Sequence, residues 1–286
     1  MAKTTRRKGH TISFCEGVIH RPVYYTANKS MEGVIHRPAC YTAQKSMEGV
    51  ILGVGNPLLD ISAPVPKSLL DKYGVELNNA VLAEEKHLPV YEELVREHEV
   101  EYIAGGATQN SIRVAQWILQ RPGATAYIGC VGKDKFGSQL KSCAEEDGVA
   151  VHYLEDAETP TGTCAVLVVN KERSLIANLA AANKYKAEHL SLPEIVPVWT
   201  RARIVYISGF FLTVSPPAIM FLAEQCRSMG KTFIMNLAAP FISQFFSEPL
   251  LGALPFVDII IGNESEAKAF GEKMGFPVSC LCESVL

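Results

Sequence analysis

Residues 101–119 read EYIAGGATQNSIRVAQWIL, and the fold is decided by how this stretch is parsed. Tyr102, Ile103 and Ala104 close an apolar strand, Gly105-Gly106 removes all side-chain bulk, and a helix begins within two residues. Thr108 suits its N-cap, and Ile112, Ala115 and Leu119 recur at helical spacing. A glycine pair at the carboxyl end of a strand lets a ligand approach the backbone, which is where open α/β sheets place their ligands. Asn110, one turn into the helix, carries an amide that both donates and accepts. Taken alone, the turn reads equally well as a plain bend and as a ligand platform.

Outward from this stretch, apolar strands alternate with amphipathic helices. Strands are expected at ILGVG from Ile51, at 124–132, 203–208, 232–237 and 257–261. Helices are expected near 137–146, from Ser215-Pro216-Pro217 to Gly230, and over 263–274. That alternation predicts an α/β fold, a parallel-rich sheet with helices on both faces. The stretches 58–64, 80–83, 149–154, 163–169 and 174–179 read as further strands, with helices near 67–72 and 88–96.

Residues 16–31 and 32–47 are near-identical copies, EGVIHRPVYYTANKSM and EGVIHRPACYTAQKSM, and a third copy starts at Glu48. Two short units cannot stack into a solenoid, so residues 1–48 are expected to be a poorly ordered extension. The recurrence of His20 and His36 is explained by the duplication without a metal.

The 286 residues can bury a substantial core, and 27 basic against 30 acidic residues give a net charge near −3, which points to no nucleic-acid partner. The eight cysteines are scattered without a CxxC, a pattern of buried free thiols in a reducing compartment. The longest apolar run, 204–214, is too short for a membrane span, and the N-terminus lacks an apolar signal core. A cytoplasmic protein is expected, and the basic start MAKTTRRKGH leaves the nucleus open as a second location. The seven histidines read as surface residues.

Three constellations carry chemistry. Asn56 and Asp60 follow the first strand of the sheet, where a carboxylate can accept two hydroxyls of a vicinal diol, or where Asn56 simply caps a turn and Asp60 is solvated. GCVGKDKFG (129–137) lacks phosphate-loop spacing and reads as a strand-to-helix turn with Asp134 starting the helix. Asn263-Glu264-Ser265-Glu266 reads either as a capping box or as an amide and carboxylate steering magnesium through water.

Read together, ILGVGNPLLDIS, AGGATQNSIRVAQW, PTGTCAVLV with RSLIANLAAAN, SGFFLTVSP, NLAAPFISQFF and GNESEA occur in one order over about 51–276. In that order they resemble the adenosine kinase family, a branch of the ribokinase-like carbohydrate kinases. The resemblance implies a large α/β domain over 49–276 with a small β lid, from about 58–64, 80–83, 163–169 and 174–179, and a divergent tail at 277–286. It implies a monomer that transfers the γ-phosphate of ATP to adenosine, with Mg2+, in purine salvage and AMP formation.

By the same resemblance Asn56 and Asp60 would lie near the nucleoside, with Asp60 on the ribose hydroxyls, and Gly105, Gly106 and Asn110 would line the ribose site. Leu82, Cys164, Leu175 and Ala177 would surround the base, with Phe211 stacking on it. Arg173 would approach the phosphates, and Asn263 with Glu266 would form the magnesium-linked motif.

Two departures matter. Ala107 stands where the family motif has serine, and the 286 residues contain no DTxGAGD segment, which in the family supplies the aspartate base and the glycine-rich helix start. The chain is therefore expected to hold the nucleoside half without the transfer chemistry, with no catalytic residue of its own. The alternatives are a non-catalytic nucleoside-binding or regulatory paralogue, or an incomplete gene model. The strand at 257–261 is expected to be left as an uncovered apolar edge that invites aggregation.

Overall fold

The computed structural model describes residues 47–275, together with two strands of the preceding segment, β1 (Ser13–Cys15) and β2 (Val18–His20). The remainder of the duplicated extension and the tail with Cys280 and Cys282 lie outside the described residues. In chain order there follow β3 (Ile51–Val54), β4 (Leu58–Pro64), α1 (Lys67–Tyr73), β5 (Ala80–Leu82), α2 (Pro89–Glu97), β6 (Glu101–Gly105), α3 (Ala107–Leu119), β7 (Thr125–Gly132) and α4 (Lys135–Glu146). Then come β8 (Ala150–Asp156), β9 (Thr163–Val169), β10 (Glu172–Asn178), α5 (Val196–Arg201), β11 (Ile204–Ser208), α6 (Pro216–Met229), β12 (Thr232–Asn236), α7 (Pro240–Phe245), α8 (Ser247–Ala253), β13 (Ile259–Ile261) and α9 (Glu264–Met274).

Among the described residues the strands form two sheets. The larger has the order β1-β2-β13-β12-β11-β3-β7-β8, and every pairing from β13 to β8 is parallel. β7 shows why this block reads so plainly in sequence: all eight of its residues are buried, as suits a strand covered on both faces. Leu52, Ile128, Ile207, Phe233 and Met235 build the main core with the α6 stripe Ile219, Leu222, Ala223 and Cys226. Trp199 also joins it, its Nε1 donating to the Leu190 carbonyl at 2.9 Å. α6 ends as its sequence predicts, at Gly230 in the left-handed conformation.

The smaller sheet, β5-β10-β9-β4-β6, mixes parallel and antiparallel pairs. One face packs Ile61, Ala63, Ala165, Leu167 and Ile176 against Leu69, Leu70 and Tyr73 of α1 and Val90 and Leu94 of α2. The opposite face carries Leu58, Cys164, Val166, Leu175 and Ala177.

Four expectations are corrected. The strand before the glycine pair, β6, is an edge strand of the smaller sheet, antiparallel to β4, and no part of the parallel block. Its exposed Glu101 and half-buried Tyr102 and Ile103 fit an edge with a single partner. Thr108 does not cap α3, which starts at Ala107 with Gly106 in the N-cap place; its buried hydroxyl instead accepts from Ser208 N at 3.3 Å.

His87 and His189 are buried rather than surface residues. His87 Nδ1 accepts from Glu84 N, and His189 Nδ1 lies 3.3 Å from the Tyr185 hydroxyl, so hydrogen bonds replace the lost water. The expected open edge at 257–261 is closed, because β2 pairs antiparallel with β13 (Ile19 opposite Ile260). Such pairing needs only main-chain donors and acceptors, which the duplicated segment carries like any other.

Among the described residues no helix is long and apolar enough to cross a membrane. The free cysteines Cys130, Cys164 and Cys226 are buried, as their apolar surroundings predict.

Candidate functional site

The chain passes from the larger sheet to the smaller at Gly55-Asn56-Pro57, between β3 and β4, and returns at Gly105-Gly106, between β6 and α3. The two crossings lie against each other. Gly106 has φ of 96°, and a Cβ there would come within 2.2 Å of the Asn56 carbonyl oxygen, so no other residue fits. A Cβ on Gly105 would meet the Asp60 carboxylate at 2.2–2.5 Å, so that carboxylate rests against bare backbone.

Register then brings distant residues into one row across the smaller sheet. Asp60 pairs with Ile103 on one side and Cys164 on the other, Cys164 with Ala177, and Ala177 with Leu82. Leu175 lies two residues from Ala177, on the same face and opposite Val166.

Two cavities adjoin the crossings. The first, about 370 Å3, is walled by Leu58, Leu82, Ala177, Leu179, Phe211 and Phe241, with Asn56, Gly106 and Thr108 as its polar side. Phe211 is 1% exposed and packs on Tyr185 at 5.4 Å between centroids, whereas Leu82 is 54% exposed at the rim. Both amide atoms of Asn56 are buried without a hydrogen-bond partner. A buried amide in that state costs on the order of 1–3 kcal/mol, which an incoming polar ligand would recover.

The second cavity, about 600 Å3 and more polar, is a groove lined by Asp60, Asn110, Arg113, Asp147 and Arg173, with the 71% exposed Trp117 beside it. Burial pushes the Asp60 carboxyl up to about 6, against the opposing pull of the Arg113 and Arg173 charges. Burial likewise pushes the Cys164 thiol upward, and the neighbouring Asp60 adds to it. Cys164, at 5% exposure, stands behind the wall with Leu58 and lines neither cavity; Leu175 packs in the same cluster.

Asn263 and Glu266 lie apart from both cavities. Asn263 Oδ1 accepts from Glu266 N at 2.9 Å, Glu266 Oε2 accepts from Asn263 N at 3.1 Å, and Asn263 Nδ2 donates to Glu266 Oε1 at 2.9 Å. This is a capping box, one of the two readings that the spacing allows. Among the described residues no group of three or more His, Cys, Asp or Glu is gathered as a metal site would need. Asp134 starts α4 as expected, accepting from Gly137 N at 2.7 Å, and it also accepts from the Thr161 hydroxyl.

Phe210, Phe241 and Arg113 also line the cavities, as does Thr108, whose place in the sequence suggested only a helix cap. Phe241 stood within the quoted NLAAPF motif, and Arg113 lies three residues past Asn110, on the same helical face.

A strand-to-helix glycine crossing thus lies beside an apolar cavity and a polar groove, on a parallel sheet that carries a smaller side sheet. The chain belongs to the pfkB family carbohydrate kinases, whose model matches residues 67–275. Within that family its similarity runs to the adenosine kinases. It is 57% identical over 226 residues to adenosine kinase 1 of Arabidopsis thaliana, covering 79% of this chain and 66% of that protein. Adenosine kinase of Anopheles gambiae, solved with P1,P4-di(adenosine-5) tetraphosphate, is 50% identical with a TM-score of 0.72, over 80% of this chain and 68% of that one. Adenosine kinase of Schistosoma mansoni, solved with adenosine in an occluded loop conformation, is 34% identical with a TM-score of 0.75, over 83% and 69%. The chain thus spans just under two thirds of the length of the curated relatives it matches.

Proposed function

We propose that this chain is the nucleoside-binding part of an adenosine kinase-like phosphotransferase, one that converts adenosine and ATP to AMP and ADP. The observation that carries the reading is the partnerless Asn56 amide in an apolar cavity of about 370 Å3, next to a groove holding Asp60 and Asn110. That volume lies within the roughly 300–1,000 Å3 of small-molecule sites, and mostly apolar walls with a few polar groups suit a flat base joined to a sugar. Leu82, Ala177 and Phe211 form the base-binding walls, and Asp60, Asn110 and the glycine pair take the ribose. Arg173, at the groove, faces the phosphates.

The 286-residue chain by itself is proposed to bind without turnover. No titratable side chain lines the apolar cavity to serve as a base. ATP and magnesium belong to the whole reaction, where the ion offsets phosphate charge. Asn263 and Glu266 spend their polar atoms on the start of α9.

Thermal unfolding with and without adenosine, and a coupled assay for AMP, test the two halves of this reading separately. A rise in melting temperature with adenosine and no AMP is expected. An unmoved melting temperature defeats the nucleoside assignment, and AMP formed by the purified chain defeats the claim of lost turnover.

A further inference from the structure

Arg113 is held at three points. Its Nη1 donates to the Ala104 carbonyl and, at 3.2 Å, to Asn110 Oδ1, while its Nε donates to Asp147 Oδ2. The side chain is only 24% exposed, so the fork is fixed rather than waving in solvent. A guanidinium donates and never accepts, and it stays charged across the working pH range.

The consequence falls on Asn110. An amide has one acceptor oxygen and two N–H donors. With Oδ1 held on the guanidinium, the Nδ2 donor pair is turned away from Arg113, and the oxygen keeps one free lone pair. The same guanidinium holds the Ala104 carbonyl, one residue before Gly105, the backbone against which the Asp60 carboxylate rests. Asp60 offers only acceptors when ionised, and Asn110 so turned presents its donors, in one groove. A vicinal diol, whose hydroxyls both donate and accept, is the complement of that pair.

We infer that Arg113 is the positioning residue of a diol clamp: by occupying Asn110 Oδ1 it turns that amide's donors toward the groove opposite Asp60, and so makes the site select nucleosides with an intact 2′,3′-diol. The inference rests on the nucleoside-binding reading above. Asp147 serves it indirectly by anchoring Nε. Lysine at 113 keeps a charged donor but loses the fork that reaches three acceptors at once.

The test is calorimetric titration of the 286-residue chain and its variants with adenosine and with 2′,3′-dideoxyadenosine, each variant checked by thermal melting. The unsubstituted chain is expected to prefer adenosine by at least about tenfold, the weight of one good hydrogen bond to a charged group. Arg113→Met is expected to shrink that preference about tenfold through loss of adenosine affinity, leaving dideoxyadenosine within about twofold. Arg113→Lys is expected to recover part of the preference, and it carries the test if the methionine variant fails to fold. Asp147→Asn is expected to act in the same direction, more weakly.

Equal weakening of both nucleosides by Arg113→Met, or an unchanged ratio in both Arg113 variants, overturns the inference and assigns the arginine a structural role. Equal affinity of the unsubstituted chain for the two nucleosides overturns the diol clamp while leaving nucleoside binding intact. Failure of the unsubstituted chain to bind either one overturns the underlying functional reading as well.

Discussion

The two sheets bury their strands in different ways. In the larger sheet β7 is enclosed along all eight residues, while in the smaller sheet β4 alternates between buried core positions such as Ile61 and Ala63 and half-buried ones such as Asp60 and Ser62. A strand covered on both faces is spent entirely on stability. A sheet covered on one face by α1 and α2 keeps its other face for a ligand, and the candidate site lies where that face meets the crossings between the sheets. The division of labour is scaffold against reading surface.

The largest test of that contrast is Phe233→Ala, which removes a fully buried ring from the main core. It is expected to cost about 3–5 kcal/mol, measured by urea unfolding. A cost below about 1 kcal/mol would mean that the parallel block is not the stabilising body.

A second test concerns Asp60 on the reading surface. Its folded carboxyl is raised to about 6 from 3.8, so the folded state holds the proton more tightly than the unfolded one. Stability from this group is full below about 3.8, declines as pH rises from there, and has been lost once pH passes about 6. Urea midpoints taken across that window are expected to fall with rising pH in the natural chain and to be flatter in Asp60→Asn. Adenosine, which the ionised carboxylate would accept hydrogen bonds from, is expected to bind more tightly as pH rises through the same window. Parallel pH profiles in the two proteins would remove Asp60 from the account.

The smallest effect belongs to neither sheet. Asn263→Ala takes away the cap of α9 and is expected to cost about 1 kcal/mol in the same unfolding measurement, with adenosine affinity unchanged. A drop in adenosine affinity would bring the capping box into the nucleoside site.

How far the sequence could be read follows the same contrast. The parallel block was legible because apolar runs such as 125–132 and 204–208 alternate with helical segments, as strands of a covered sheet do. β6 was not, since EYIAG before a glycine pair looks alike on a central strand and on an edge, and only its pairing with β4 tells them apart. Asn56, Asp60 and Asn110 were visible as amides and carboxylates beside strand ends. Arg113 was hidden, because its role comes from three acceptors of which Asp147 lies 34 residues away. The pairing of β2 with β13 was hidden for a related reason: it joins main-chain atoms more than two hundred residues apart and leaves no mark in side-chain pattern.

Of the two tryptophans, Trp199 is packed in the main core and Trp117 stands beside the polar groove. Their emission should therefore separate into a blue, shielded component and a red, solvent-exposed one. Iodide should quench the second and spare the first, and a molecule settling into the groove should change the red component alone. The fold thus carries its own optical gauge, with the scaffold reporting through one indole and the reading surface through the other.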